Sequence, residues 1–301
     1  MDLRALEAFA AEVGDESAGP VTCVGGRTEW SVGGAPPTDV REVRAPAGVV
    51  AFEPAEMTVR VRAGTTVADL DAALAEHGQT VALPAWPGAT VGGVLAVGRS
   101  GVRRLGYGPV RDTVLEVQAV SASGTIVKAG GPTVKNVSGY DLARLIVGSL
   151  GTLAFIGEVV LRTRPLAATS RWLSAPVDPF DALARLHRPT ALQWDGSTTW
   201  ACIEGHPDDV EAQAALIDAG EAAGPPELPS HRWSLRPEEL RALPDRAADT
   251  GRFVAEVGVG IVHAERPPPD PVLDPVVLDL HRRVRTAFDP TGRLNPGRVP
   301  W

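Results

Sequence analysis

The chain has 301 residues, 44% hydrophobic and 22% charged, enough for two modest domains with real cores. Its 37 Asp plus Glu against 29 Lys plus Arg leave an acidic balance, which lacks the basic footprint that broad nucleic-acid or anionic-membrane binding needs. Nearly all the positive charge is arginine, with lysine only at Lys128 and Lys135, so arginine richness carries no signal of its own. The two cysteines, Cys23 and Cys202, are far apart and form no CxxC, so neither a zinc site nor a disulfide framework is indicated. Reduced thiols in a cytosolic protein are the preferred reading.

In chain order, the first segment reads as an amphipathic helix with Leu3, Leu6, Phe9 and Ala10 on one face, without the layout of a signal peptide. No apolar run is long enough to span a bilayer. The stretch 57–63 alternates, placing Met57, Val59, Val61 and Ala63 on one face of a strand. A helix follows, with Thr66 and Asp69 as a capping-box-like start, Val67, Leu70 and Leu74 as its stripe, and Gly78 as its stop. The runs "TVLEVQAV" and "GTIVKAGG" flank "SASG" and predict a hairpin. "GYDLARLIVGS" reads as a short helix and "GTLAFIGEVVLRTRP" as a strand or a pair of strands closed by Pro165.

In the second half, "TTWACIEG" predicts a strand and the stretch from His206 to Gly224 a helix started by Asp208 or Asp209. Prolines mark 224–230 and 266–271 as loops, because proline breaks helix and sheet ladders. The last helix begins at Asp274 with Pro275 in its first turn, and Val277, Leu280, Val284 and Phe288 form its expected buried stripe.

Three glycine-rich loops stand out, at 24–34, 84–101 and 128–158. The first, "VGGRTEWSVGG", contains no GxGxxG opening a helix and no GK[ST], which excludes a Rossmann turn and a P-loop. What remains is either an ordinary turn, where glycine supplies positive φ, or a run of backbone N–H groups forming an anion nest. The second loop adds "GATVGG", small residues against which a flat ring could lie. Three such loops in order suggest one extended ligand threaded between two lobes.

Five stretches, "VGGRTEW", residues 50–79, residues 89–120, "VKNVSGYDLARLIVGSLGTLAFIGEVVLR" and "LHRRVRTAFDPTGRLNPGR", together resemble the vanillyl-alcohol oxidase / p-cresol methylhydroxylase family. Within it the chain is similar to the FAD-binding E subunits of bacterial glycolate oxidases. The resemblance covers about residues 20–165 and 258–299. It implies an α+β fold: a PCMH-type FAD-binding domain of two α/β subdomains over 1–165, a small α/β cap over 166–257, and a C-terminal segment, 258–301, returning to the first domain.

It also implies one FAD per chain. Gly25, Gly26, Arg27 and Thr28 would hold the pyrophosphate. Gly88, Ala89, Thr90, Gly92 and Gly93 would line the isoalloxazine and pyrophosphate. Gly139, Tyr140 and Asp141 would lie nearby, Ile156 at the adenosine end and Asn295 at the flavin edge. Because the pyrophosphate loop holds no histidine, the FAD is expected to be noncovalent.

Oxidation of a 2-hydroxy acid needs a base for the hydroxyl proton and a cation for the carboxylate. Arg103, Arg104 and Arg298 are candidates for the cation, Tyr107 for orienting the carboxylate, and His263 for the base, each weighed against a surface or packing role. The HxGDGN…H metal run of some relatives is missing, and Glu204 with His206 makes no metal site. Two functions remain open. One is a flavoenzyme for a glycolate- or lactate-like acid, acting as a subunit beside a catalytic flavoprotein and an iron–sulfur protein. The other is an accessory flavin-binding subunit docked to such a partner. No nucleic acid partner and no direct membrane insertion are expected; the location is cytoplasmic, or peripheral to the membrane through partner subunits.

Overall fold

A computed structural model describes residues 4–131, 141–270 and 273–299. The chain divides into two compact units. The first comprises Met1–Ser100, Pro109–Leu166 and Leu273–Trp301, the second Gly101–Gly108 and Ala167–Val272.

The first unit is built on a six-stranded sheet. Its strands run in the order Val49–Glu53, Thr58–Arg62, Phe155–Pro165, Val114–Val120, Ile126–Gly130, and Gln79–Val81 pairs the far end of Phe155–Pro165. Every pairing is antiparallel. The expected alternation holds at Val59, Val61 and Ala63, all buried, and fails at Met57, which is exposed in a left-handed turn before the strand begins. The strand reading of 151–165 resolves as one strand, Phe155–Pro165. The hairpin over 114–130 forms as its turn residues predict.

One face of this sheet packs on the helices Val67–Ala75, Val91–Val97 and Leu142–Ile146. Thr66 caps the first of these, accepting from Asp69 N at 3.0 Å while its hydroxyl donates to Asp69 at 2.6 Å. A second core joins the helix Arg4–Val13, through Leu6, Phe9, Ala10 and Val13, to a parallel strand pair, Val21–Cys23 and Arg41–Val43.

The C-terminal helix Pro275–Phe288 starts at an Asp274 cap as the sequence predicts. Its apolar stripe is not buried: Leu280 is 53% and Val277 41% exposed. The helix is held through its end instead. Arg285 donates to the carbonyl of Arg298, and the following "DPTGRLN" stretch docks along Val21–Cys23.

The second unit is a seven-stranded sheet, also antiparallel throughout. Its order is Gly220–Ala222, Thr169–Ala175, Thr199–Gly205, Ala191–Trp194, Phe253–Glu256, Ile261–Ala264, His231–Ser234. One face buries Leu173, Leu192, Ala201, Ile203, Phe253, Ala255 and Val262 with the helices Pro179–Arg185 and Pro207–Leu216. The cap of the latter is His206, whose ring accepts from Asp208 N at 3.4 Å, rather than Asp208 or Asp209: Pro207 fills the first helical position and moves the start upstream. The strand Gly220–Ala222, which the sequence reading took into a helix, pairs with Thr169–Ala175.

Two boundaries differ from the expected ones. Residues 258–270 lie in the second unit, because Ile261–Ala264 hydrogen-bonds to Phe253–Glu256 and to His231–Ser234 on either side. Residues 101–108 also belong there. Gly106 N donates to Thr190 O at 3.1 Å, and a Cβ at Gly106 would come within 2.7 Å of Thr190 Cα, so only glycine allows that approach.

Candidate functional site

In the first unit the loop after Val21–Cys23 meets the loop leading into Val91–Val97. A Cβ on Gly26 would stand 1.8 Å from the carbonyl oxygen of Gly88, and one on Gly25 2.3 Å from Thr90 Oγ1. Neither glycine has positive φ; the left-handed residue is Arg27, at φ 57°. These glycines are therefore needed for loop-on-loop approach rather than for turn conformation. The backbone N–H groups of residues 25–30 donate to no acceptor among the described residues. Six consecutive open donors around a left-handed residue are what an anion nest offers.

Two adjoining clefts lie against these loops and share Cys23, Gly25, Thr90, Gly93, Ala96 and Asn295. Ile156 and Gly92 line the first, Gly26, Arg27 and Thr28 the second. Gly88 and Ala89 support the cradle through their contact with Gly26 but do not line it. Asp141 lines neither cleft; it caps the helix Leu142–Ile146, whose Ile146 lines the first cleft, and pairs with Arg144. Gly139 and Tyr140 lie outside the described residues.

Asn295 fastens the C-terminal stretch to the cradle. Its Oδ1 accepts from the Thr22 hydroxyl at 2.6 Å and from Cys23 N at 3.0 Å, and its Nδ2 donates to Leu150 O at 2.5 Å. Beside it the Cys23 thiol, half-buried at the edge of both clefts, is pushed up to about 12 by desolvation. Arg298 lines the larger cleft and donates through Nη1 to Trp30 O and Val32 O. Its guanidinium lies 4.6 Å from the Trp30 ring, where Arg27 also stands, at 4.8 Å.

The three residues proposed for catalysis all lie in the second unit, on the sheet face opposite its apolar core. Glu204 gathers two of them. Its carboxylate pairs with Arg103 at 2.7 Å and accepts from the Tyr107 hydroxyl at 2.7 Å, with Ser170 at 3.2 Å. Burial, then the Glu204 bond, pushes the Tyr107 hydroxyl up to about 12. His263 Nε2 instead meets Glu256 at 2.9 Å. The strand registers place Glu204 and His263 six residue positions along and three strands across. At ~3.3 Å per residue and ~4.8 Å per strand this is roughly 25 Å, so His263 and the Arg103–Tyr107 pair cannot serve one small acid together.

Between them, directly opposite Glu256 in the ladder, lies Gln193. It is fully buried, and neither its amide oxygen nor its nitrogen has a partner among the described residues. Nothing in the sequence marks Gln193, since a glutamine in "ALQW" carries no spacing signal. No three His, Cys, Asp or Glu side chains gather among the described residues in a way that could hold a metal ion.

Residues 8–130 match the FAD binding domain family, and FAD is the cofactor that this match supports. Among particular relatives, the chain is 33% identical over 195 residues to glycolate oxidase subunit GlcE of Escherichia coli, covering 61% of this chain and 55% of that one. It is 38% identical over 192 residues to a D-lactate dehydrogenase of Archaeoglobus fulgidus, covering 60% and 43%. The chain thus spans about half the length of these curated relatives. Its fold is shared with alkyldihydroxyacetonephosphate synthase, at a TM-score of 0.70 and 15% identity over 96% of this chain and 74% of that one. No helix among the described residues is long and apolar enough to cross a membrane.

Proposed function

We propose that the chain is an FAD-dependent oxidoreductase acting on a small 2-hydroxy acid, such as glycolate or lactate, as one subunit of a larger complex. The observation that carries this reading is the cradle itself: open N–H groups at 25–30 beside clefts lined by small residues, in a chain whose relatives are named for glycolate and D-lactate. Bound there noncovalently, FAD supplies a two-electron acceptor for a C–H bond. Gly25, Gly26, Arg27 and Thr28 cradle its diphosphate. Gly92, Gly93 and Thr90 leave room for its ring system, Ile156 lines the cleft beyond, and Asn295 locks the floor. Their fit rests on the missing Cβ atoms at Gly25 and Gly26, which let the two loops close.

His263 is the proposed base. A carboxylate only accepts, so Nε2–H of His263 donates to Glu256, and Nδ1 is the ring nitrogen left to accept a proton. Arg103 and Tyr107 do not share a substrate with His263, since the sheet separates them and Glu204 already satisfies both.

That satisfaction favours a second reading, in which the chain binds FAD but docks to a catalytic flavoprotein without turning over substrate. Anaerobic addition of glycolate, D-lactate or L-lactate separates the two. Bleaching of the flavin by the purified chain supports the enzyme; bleaching only after a partner is added supports the accessory role. A colourless protein that takes up no FAD overturns both.

A further inference from the structure

Two arginines are more than nine-tenths buried among the described residues, and they are used differently. Arg293 distributes its guanidinium over the carbonyls of Val13, Gly14, Gly19 and Ala122 and faces neither cleft. Arg298 is 5% exposed, lines the larger cleft, and spends only Nη1 on protein acceptors. No carboxylate pairs with it among the described residues, and burial alone lowers its pKa. Arg27, the other cation lining this cleft, is already paired with Glu42 at 2.5 Å.

A buried cation is costly unless its N–H groups are satisfied; carbonyls take up all three guanidinium nitrogens of Arg293, whereas in Arg298 only Nη1 is taken up, and the rest of the group lines a cleft. The same cleft is lined by the 25–28 loop with its open N–H groups, which also call for an anion; the one carboxylate in its wall, Glu29, is paired with Arg99 at 2.7 Å, and Trp86 with the Val91–Val97 helix supplies apolar surface. Two independent features, a side-chain charge from the C-terminus and a run of backbone donors from the N-terminal loop, thus converge on one space.

We propose that Arg298 is the fixed counter-charge for the diphosphate of FAD, held in place by the Trp30 and Val32 carbonyls and the Trp30 ring. This rests on the reading that the cleft is the FAD site. It assigns the C-terminal "NPGR" a second task beyond the Asn295 clasp: the chain must fold back onto the first unit to complete the cofactor's charge balance. It also assigns Arg298 to the cofactor rather than to a substrate carboxylate.

The test is equilibrium titration of the full, flavin-stripped chain with FAD and with riboflavin, which has no phosphate, followed by flavin fluorescence. Arg298→Gln weakens FAD about ten- to a hundredfold, as expected for a charge-assisted hydrogen bond, and leaves riboflavin unchanged. It also flattens the dependence of FAD affinity on salt. Arg298→Lys keeps the charge and retains most of the preference for FAD over riboflavin, which keeps the idea testable if the Gln variant folds poorly. Equal weakening of both ligands by both variants, or no change in either, overturns the proposal. Failure of the wild-type chain to bind FAD at all is a different result, and defeats the cleft assignment itself.

Discussion

The cleft of the first unit and the polar face of the second sheet are both rich in charged and polar residues, and they differ in how those residues are satisfied. In the cleft, donors stand open: the N–H groups of 25–30 and the uncompensated Arg298. On the sheet face, Arg103, Tyr107 and Ser170 converge on Glu204, and His263 on Glu256, so most charge is internally balanced. Residue type alone nominated both regions equally. Pairing separates them, because an unmatched buried charge or donor calls for a ligand, whereas a matched cluster is complete without one. Gln193 is the exception on the second side, a buried amide with no partner in a face otherwise satisfied.

The contrast is open to attack from several directions. The largest effect is expected at Asn295, whose side chain serves Thr22, Cys23 and Leu150 at once. Asn295→Ala strands those buried groups and costs about 3 kcal/mol of stability in urea titration, with loss of bound flavin. A near-wild-type midpoint would mean the C-terminal clasp is not what closes the cradle.

Gln193 gives the next effect, with opposite sign. Replacing an unsatisfied amide by a side chain of similar volume, Gln193→Leu, raises stability by about 1 kcal/mol. A loss instead would reveal a partner for the amide and bring this sheet face closer to the cleft in character.

The last effect vanishes at neutral pH and is confined to the alkaline range. The folded chain holds the Tyr107 proton up to about 12, while an unfolded tyrosine releases it at about 10. The folded state therefore binds more protons in that window, and stability falls as pH rises through it. Tyr107→Phe is expected to flatten the decline between those values. An unchanged slope would show that neither burial nor Glu204 holds the proton on the hydroxyl.

Much of the first unit was legible in sequence because its signals are local. The Thr66–Asp69 cap, the alternation through Val59 and Val61, and the 114–130 hairpin each depend on residues within a few positions of one another. The glycine loops were also visible, but not the reason for them. Gly26 is small because of Gly88, sixty-two positions later, and no local pattern encodes that contact. For the same reason Gly26→Val is a poor probe of the phosphate: it would displace the loop whatever the loop binds.

Long-range pairing hid the rest. The 101–108 excursion is too short to show periodicity, and Glu204 gives no sign in sequence that it neutralises Arg103. The apolar stripe of Pro275–Phe288 reads as buried, yet hydrophobic spacing says only that a face exists, not that it is covered.

The central claim, that the open groups of the first unit form the FAD site, is tested most directly by hydrogen exchange of backbone amides with and without FAD. The account predicts protection across residues 24–30, where donors are free in the ligand-free chain, extending to 90–97 and 294–299. The strands Ala191–Trp194 and Ile261–Ala264 should change less. Unaltered exchange at 24–30 in a chain that nonetheless binds FAD would contradict it.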